Sequence, residues 1–265
     1  VTASISISSS PFPTSRLKAA KLITDPLVVS VAASIFAAGF WAICGSALFS
    51  FSPLVAIGLG GSYLICLGMY VAQHRKEIIY EISLLFSITL NTLYPNTYHW
   101  WNKIDEGLYL GAIPLEKHAG ALPQELQGPL AILSLVEPFE LEDRYHLTTV
   151  VAHTEWQRRG ILIKHLHAVD FAAVSQDHLD QAVQFIYEMR KQGRTVYVHC
   201  KAGVGRSATA IAAYLLQHGL SSGQKFASAE AVIQFIKTKR AYVVIHRNPA
   251  RNAIHEFCQR INRKI

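Results

Sequence analysis

At 265 residues the chain has room for one or two domains. Its four cysteines, Cys44, Cys66, Cys200 and Cys258, include no CxxC pair, so neither a zinc site nor a disulfide framework is suggested. The net charge of +7 is concentrated late in the chain. From 190 to 265 fourteen Lys or Arg face two acids, Glu230 and Glu256. With no readout motif for nucleic acid, this favours an anionic lipid surface as the partner.

The chain begins at Val1, which leaves another start codon, processing or truncation open. The serine-rich opening, TASISISSS, reads as part of a disordered tail over 1–25. From 26 to 73 there is no Asp, Glu, Lys, Arg or His. That stretch is about twice the roughly 20 residues needed to cross a bilayer. Phe51-Ser52-Pro53 supplies a turn near its middle, so two transmembrane helices are expected, at 27–49 and 54–72, as a tight hairpin. Gly58, Gly60, Gly61, Ala37, Ala38 and Gly39 let two helix backbones approach closely. Arg16, Lys18 and Lys21 precede the hairpin, Arg75 and Lys76 follow it, and its turn carries no positive charge. By the positive-inside rule both ends are cytoplasmic, which makes this an integral membrane protein with its soluble part on that side.

Residues 74–96 form a juxtamembrane linker. Within it EIIYEISLLFSITLNTLYP, 77–95, is apolar with Glu77 and Glu81 one turn apart. It reads equally as an amphipathic helix on the membrane surface or as a connector packed on the soluble domain.

From 97 to 265 the pattern is that of an α/β domain. Strands are expected at 107–113, 130–136, 160–169 and 195–200. A helix capped by Asp177 is expected to run to Gly193, and a second from Arg206 to Gly219. A third opens at Ser228 with Glu230, and a fourth covers 249–263 with Pro249 in its first turn. Strands alternating with helices imply a mostly parallel central sheet with flanking helices.

The stretch VHCKAGVGRSAT, 198–209, joins a buried strand to a helix. Such a junction aims backbone N–H groups and the helix dipole at one point and binds anions. Gly203 and Gly205 allow the backbone angles this needs, so residues 201–206 (Lys201, Ala202, Gly203, Val204, Gly205 and Arg206) form a phosphate-binding loop. No Gly-Lys-Ser/Thr ends the loop, which excludes a Walker A site. A bare C-x5-R is weak and is satisfied by a strand-end cysteine near a surface arginine. The full context is stronger: apolar strand, His-Cys, two glycines, Arg-Ser, helix. At the strand's end the loop and Arg206 stabilise a Cys200 thiolate. A planar guanidinium binds two phosphate oxygens. The chemistry is nucleophilic attack on phosphorus through a phosphocysteine.

A general acid must then protonate the leaving oxygen. Asp170, in HLHAVDFAA after a predicted strand, is the candidate, against the plainer role of a turn aspartate. Ser207 donates to the sulfur or is an ordinary first-turn serine. His199 positions the loop; His165 and His167 are core or face residues. No His, Asp or Glu cluster has metal spacing, so neither metal nor cofactor is expected.

His199, Cys200, Arg206 and Ser207 match H-C-x5-R-S/T. On these residues the chain resembles the cysteine-dependent dual-specificity branch of the protein tyrosine phosphatases, with Asp170 in the place of its general acid. Four stretches resemble the mitochondrial-type phosphatidylglycerophosphate phosphatases within that branch. They are WNKIDEGLYLGAIP (101–114), YVHCKAG (197–203), AVDFAA (168–173) and IKTKRAYVVIHRNPARNAIHEF (236–257). The resemblance spans about 98–262 and leaves out the hairpin. Val204 stands where that group often carries a basic residue. VEPFE (136–140) keeps only Glu137 and Glu140 of an acidic stretch; these acids orient a headgroup hydroxyl or are solvated loop residues. The resemblance implies a membrane-anchored phosphatase acting on phosphatidylglycerophosphate. A phosphoinositide or phosphoprotein phosphatase is the alternative, and a non-catalytic phosphate-binding module is a third reading. Lys237, Lys239 and Arg240 are candidates for headgroup or surface contact.

Overall fold

The computed structural model describes residues 68–69, 71–141 and 149–263. The tail and almost all of the hairpin expected at 26–73 lie outside the described residues. Among the described residues no helix is long and apolar enough to cross a membrane. Residues His74–Ile265 form one compact unit.

Its centre is a five-stranded sheet of β1 (Trp101–Asp105), β2 (Leu108–Gly111), β3 (Leu130–Val136), β4 (Leu162–His167) and β5 (Thr195–His199), in the order β1-β2-β5-β3-β4. β1 lies antiparallel on one edge; the other pairings are parallel. β3 reads LAILSLV, an unbroken apolar run, and is buried along its whole length, as a strand covered on both faces must be. The four predicted strands are present, β3 with the predicted bounds and the other three shorter. β1 was not foreseen, because WNKID mixes polar and apolar residues as an edge strand does.

Among the described residues seven α-helices surround the sheet: α1 (Arg75–Leu93), α2 (Ala121–Leu126), α3 (His153–Arg158), α4 (Gln176–Lys191), α5 (Arg206–His218), α6 (Ala229–Lys239) and α7 (Ala250–Asn262). Alternate residues of each strand face opposite ways. Leu110, Leu133 and Val198 therefore pack with Ile211, Leu215, Val232 and Phe257 of α5, α6 and α7. On the other face Ile132 and Tyr197 meet Leu122, Leu126 and Trp156 of α2 and α3. α5 is buried from Arg206 to Leu216, and four alanines in its first two turns allow close packing on every side.

Two cap assignments change. Ser175, not Asp177, caps α4: its Oγ accepts from the His178 N–H, and Asp177 falls in the first turn. Pro249 precedes α7 as its cap residue rather than sitting in its first turn. Ser228 caps α6 through the Ala231 N–H, as the sequence suggests.

α1 settles what 77–95 does within this unit. Tyr80 and Leu84 are buried with Trp100, Ile113, Val136 and Val150, beyond the C-terminal ends of β2 and β3. The helix packs on the domain, yet Ile79, Ile82, Leu85, Phe86 and Leu93 remain exposed.

Candidate active site

In an open α/β sheet ligands bind beyond the C-terminal ends of the parallel strands. Cys200 follows β5 there, Asp170 lies three residues beyond β4, and Glu137 and Glu140 follow β3. α1 closes the same end of the sheet.

The loop from Lys201 to Gly205 is held from outside by its carbonyls. The Lys201 carbonyl accepts from the Ile113 N–H at 3.0 Å and that of Val204 from the Val244 N–H at 2.9 Å. The Ala202 and Gly203 carbonyls accept from Nη2 and Nε of Arg240, at 3.1 and 2.8 Å. The Gly205 carbonyl accepts from the Thr209 N–H. In a trans peptide the N–H points opposite to the preceding C=O. The N–H groups of residues 202–206 therefore turn the other way, and none of them donates to an oxygen of the described residues.

Gly203 makes this turn possible with φ at +69°. A Cβ there would lie 2.4 Å from the backbone C and O of Gly111 and 2.8 Å from Nη2 of Arg240. Gly203→Ala is expected to cost about 2–4 kcal/mol, combining left-handed strain with a backbone clash. A thermal melt checks this, and turnover of a soluble aryl phosphate should fall with it.

Cys200 is 2% exposed, and its Sγ accepts from the Ser207 Oγ at 3.2 Å. Burial pushes its thiol up. The Arg206 charge and hydrogen bonds from the Ser207 hydroxyl and N–H outweigh that, leaving the thiol below its ordinary range. His199 is buried and burial lowers it to about 3, so its ring is neutral; its Nδ1 lies 3.2 Å from the Cys200 carbonyl.

Arg206 is 4% exposed and held on several sides. Its Nη1 and Nη2 donate to both oxygens of Glu140, at 2.6 and 3.0 Å. Nη1 also donates to the Ala168 carbonyl at 2.8 Å, and Nη2 lies 3.0 Å from Oδ1 of Asp170. Burial pulls the guanidinium down, but the Glu140 hydrogen bonds and the neighbouring anions raise it overall. Its Nε is buried without a partner among the described residues.

Glu140 is the residue the sequence reading undervalued. It is wholly buried, grips Arg206 with both oxygens, and accepts from the Glu137 N–H at 2.6 Å. Neither acid is a solvated loop residue. Glu137 is 7% exposed, and its Oε1 meets Lys76 Nζ of α1 at 3.2 Å. Its Oε2 accepts from the Asp170 N–H at 3.3 Å. The available signal was the pair of acids around Pro138-Phe139, three residues apart on the turn after a central strand.

Lys201 serves differently from a phosphate ligand on its side-chain side. Its Nζ is ion-paired with Oδ2 of Asp170 and lies 5.5 Å from the Tyr80 ring and 5.1 Å from the Phe171 ring. Arg240 is not a surface contact residue: it is 2% exposed. Besides the loop carbonyls it donates to the His99 carbonyl and to Oδ1 of Asn102 on β1, and stacks 4.4 Å from the Tyr242 ring. It buckles the loop to the edge strand. Lys239 is exposed, with Nζ over Phe235, and neither it nor Lys237 lines the site.

The residues meet in a cavity of about 680 Å³. Cys200, Lys201, Ala202, Val204, Gly205 and Arg206 form its base. Asp170 and Phe171 stand on one side, Tyr98, Tyr242 and Val244 on another, and α1 on a third. The arrangement offers a thiol, a fixed guanidinium and unclaimed amides to one anion, with a carboxyl beside them.

Comparison with known proteins places these features. Residues 142–255 match the model of the dual specificity phosphatase catalytic domain. The human phosphatidylglycerophosphatase and protein-tyrosine phosphatase 1 is 35% identical over 164 residues, 61% of this chain and 75% of that one. The Arabidopsis thaliana phosphatidylglycerophosphate phosphatase PTPMT1 is 32% identical over 62% of this chain, but the match spans only 44% of its length. The crystal structure of PTPMT1 in complex with PI(5)P superposes with a TM-score of 0.52 at 28% identity, over 62% of this chain and 98% of that one.

Proposed function

Since this chain belongs to the cysteine-dependent dual specificity phosphatases and is a phosphoric monoester hydrolase, we propose that it converts phosphatidylglycerophosphate to phosphatidylglycerol at a membrane surface. The observation that carries the chemistry is the outward-held loop. Its carbonyls are all engaged from behind, leaving the amides of 202–206 free beside a depressed thiol and a clamped guanidinium.

In this reading the phosphate enters as a dianion and takes the amides together with Nε and Nη2 of Arg206. It displaces Asp170 from Nη2 and competes for Lys201. The Cys200 thiolate then attacks phosphorus in line with the ester oxygen. The S–P bond forms as the P–O bond breaks, and Asp170 delivers its proton to the departing alkoxide. Charge spread over the phosphoryl oxygens meets preorganised donors that need not reorient. Water then attacks the phosphocysteine, giving a proton to the Asp170 carboxylate as the S–P bond breaks, and the Ser207 hydroxyl, 3.2 Å from the sulfur, stabilises the departing thiolate.

The substrate rests on the relatives' names, on the excess of Lys and Arg from 190 to 265, and on the charge-free 26–73 segment, read as an anchor holding the domain on the cytoplasmic side. A phosphoinositide is the second reading, supported by the PI(5)P bound in the superposed structure. Rates on phosphatidylglycerophosphate, a phosphatidylinositol monophosphate and a phosphotyrosine peptide decide. The first should exceed both others by about tenfold or more in kcat/KM, a difference of about 1.4 kcal/mol. Equal or faster turnover of either alternative transfers the assignment to it.

A further inference from the structure

α1 does more than cover the sheet. Ser83, Phe86, Ser87, Leu90 and Asn91 line the same cavity as Cys200 and Arg206. Across from them stand Tyr98 and Tyr242, whose rings lie 4.7 Å apart, and Val244. The cavity is polar at its base, and on the α1 side it presents the apolar Phe86 and Leu90 beside Ser83, Ser87 and Asn91. A phosphate with a small hydroxylated headgroup needs only the base.

The helix is fixed to the catalytic loops at three points. Tyr80 Oη donates to the Glu140 carbonyl at 3.3 Å. Lys76 pairs with Glu137, which in turn receives the Asp170 N–H. The Tyr80 ring also covers Lys201 Nζ. The wall thus keeps its register with the nucleophile. Phe86 is 63% exposed and belongs both to the cavity and to the outer apolar stripe with Ile79, Ile82 and Leu93. A path of apolar surface runs from the catalytic base, over Phe86, to the outside of the helix.

We propose that α1 forms a subsite for the glycerol backbone and first acyl methylenes of a phospholipid whose terminal phosphate reaches Cys200, with Phe86 and Leu90 as its specificity-determining residues. The inference rests on the lipid reading above and deepens it. Chain methylenes laid along Phe86 and Leu90 leave water, which favours their binding there. The chains then continue along the exposed stripe toward the lipid phase.

The test compares two soluble substrates with the full chain. One is dihexanoyl phosphatidylglycerophosphate below its micelle concentration; the other is the same headgroup with both chains removed. The readout is the ratio of their kcat/KM values. In Phe86→Ser/Leu90→Ser the ratio should fall about tenfold, carried by KM for the lipid. In Phe86→Leu/Leu90→Met, which keeps both positions apolar, it should stay within about twofold of the parent. An unchanged ratio in the serine variant overturns the subsite. If that variant does not turn over the chainless compound, Ser87→Phe, which fills the cavity from the same wall, decides by the same ratio: a fall supports the subsite and constancy removes it. A parent protein with no preference for the chained substrate defeats the lipid reading itself. A parent preference that survives all variants defeats only the role of α1.

Discussion

Cys200→Ser should lower turnover of every phosphomonoester by about 10⁴-fold or more while leaving phosphate binding nearly intact. The site lowers a thiol's pKa against its burial, through Arg206 and two hydrogen bonds from Ser207. A serine hydroxyl starts far higher on the pKa scale, and the same contacts do not bring it into range. Nor is a base at hand to deprotonate it. His199, the neighbouring imidazole, is wholly buried, with its Nδ1 on the Cys200 carbonyl rather than beside the sulfur. The amides and Arg206 are untouched by the change, so the inhibition constant of inorganic phosphate should move by less than about threefold. Turnover equal to that of the parent would remove Cys200 as nucleophile. Turnover absent from both would favour the phosphate-binding module.

The loop and the cysteine before it are legible because their signals are local. An apolar strand, a glycine at positive φ and a helix start follow one another within a dozen residues, and β5 and α5 begin and end close to where the pattern puts them. What escaped is what depends on distant partners. Glu140 lies 66 positions before Arg206 and Arg240 lies 37 after Gly203. In sequence a buried charge looks the same as a solvated one, and only the folded chain shows which carboxylate or carbonyl meets it. Arg240 follows KTK, so it read as one more member of a basic surface. β1 hid for a related reason: an edge strand needs only one covered face, and its alternation is short. α1 carries two apolar faces, one inward and one outward. Periodicity registers such a helix as apolar without saying which face finds the domain.

The largest stability effect should come from the acid that the sequence pattern undervalued. Glu140 and Arg206 form a two-pronged ion pair with side-chain exposures of 0% and 3%. Removing one member of such a pair leaves the other charge buried and underpaired, at a cost of about 3–5 kcal/mol. Glu140→Ala should therefore lower the melting temperature by about 10 °C, taking about 2–4 °C per kcal/mol for a domain of this size. It also frees the Glu137 N–H and loosens the turn that places Asp170. Activity should fall further than stability. Without Glu140, Arg206 keeps the Ala168 carbonyl and Asp170 as its partners, so the guanidinium drifts and the carboxyl stays on it. A displacement of about 1 Å at such a group costs on the order of 10²-fold in rate. The loss should be greater for an alkyl phosphate, whose leaving oxygen needs the Asp170 proton, than for p-nitrophenyl phosphate, which departs without help. That inequality separates positioning from instability, because simple unfolding lowers both rates by one factor. Glu140→Gln keeps the shape but sets an amide N–H against Arg206, so it should fall between the parent and alanine in both melting temperature and rate. Parent-like values for Glu140→Ala would mean that Arg206 is held by the loop and the Ala168 carbonyl alone.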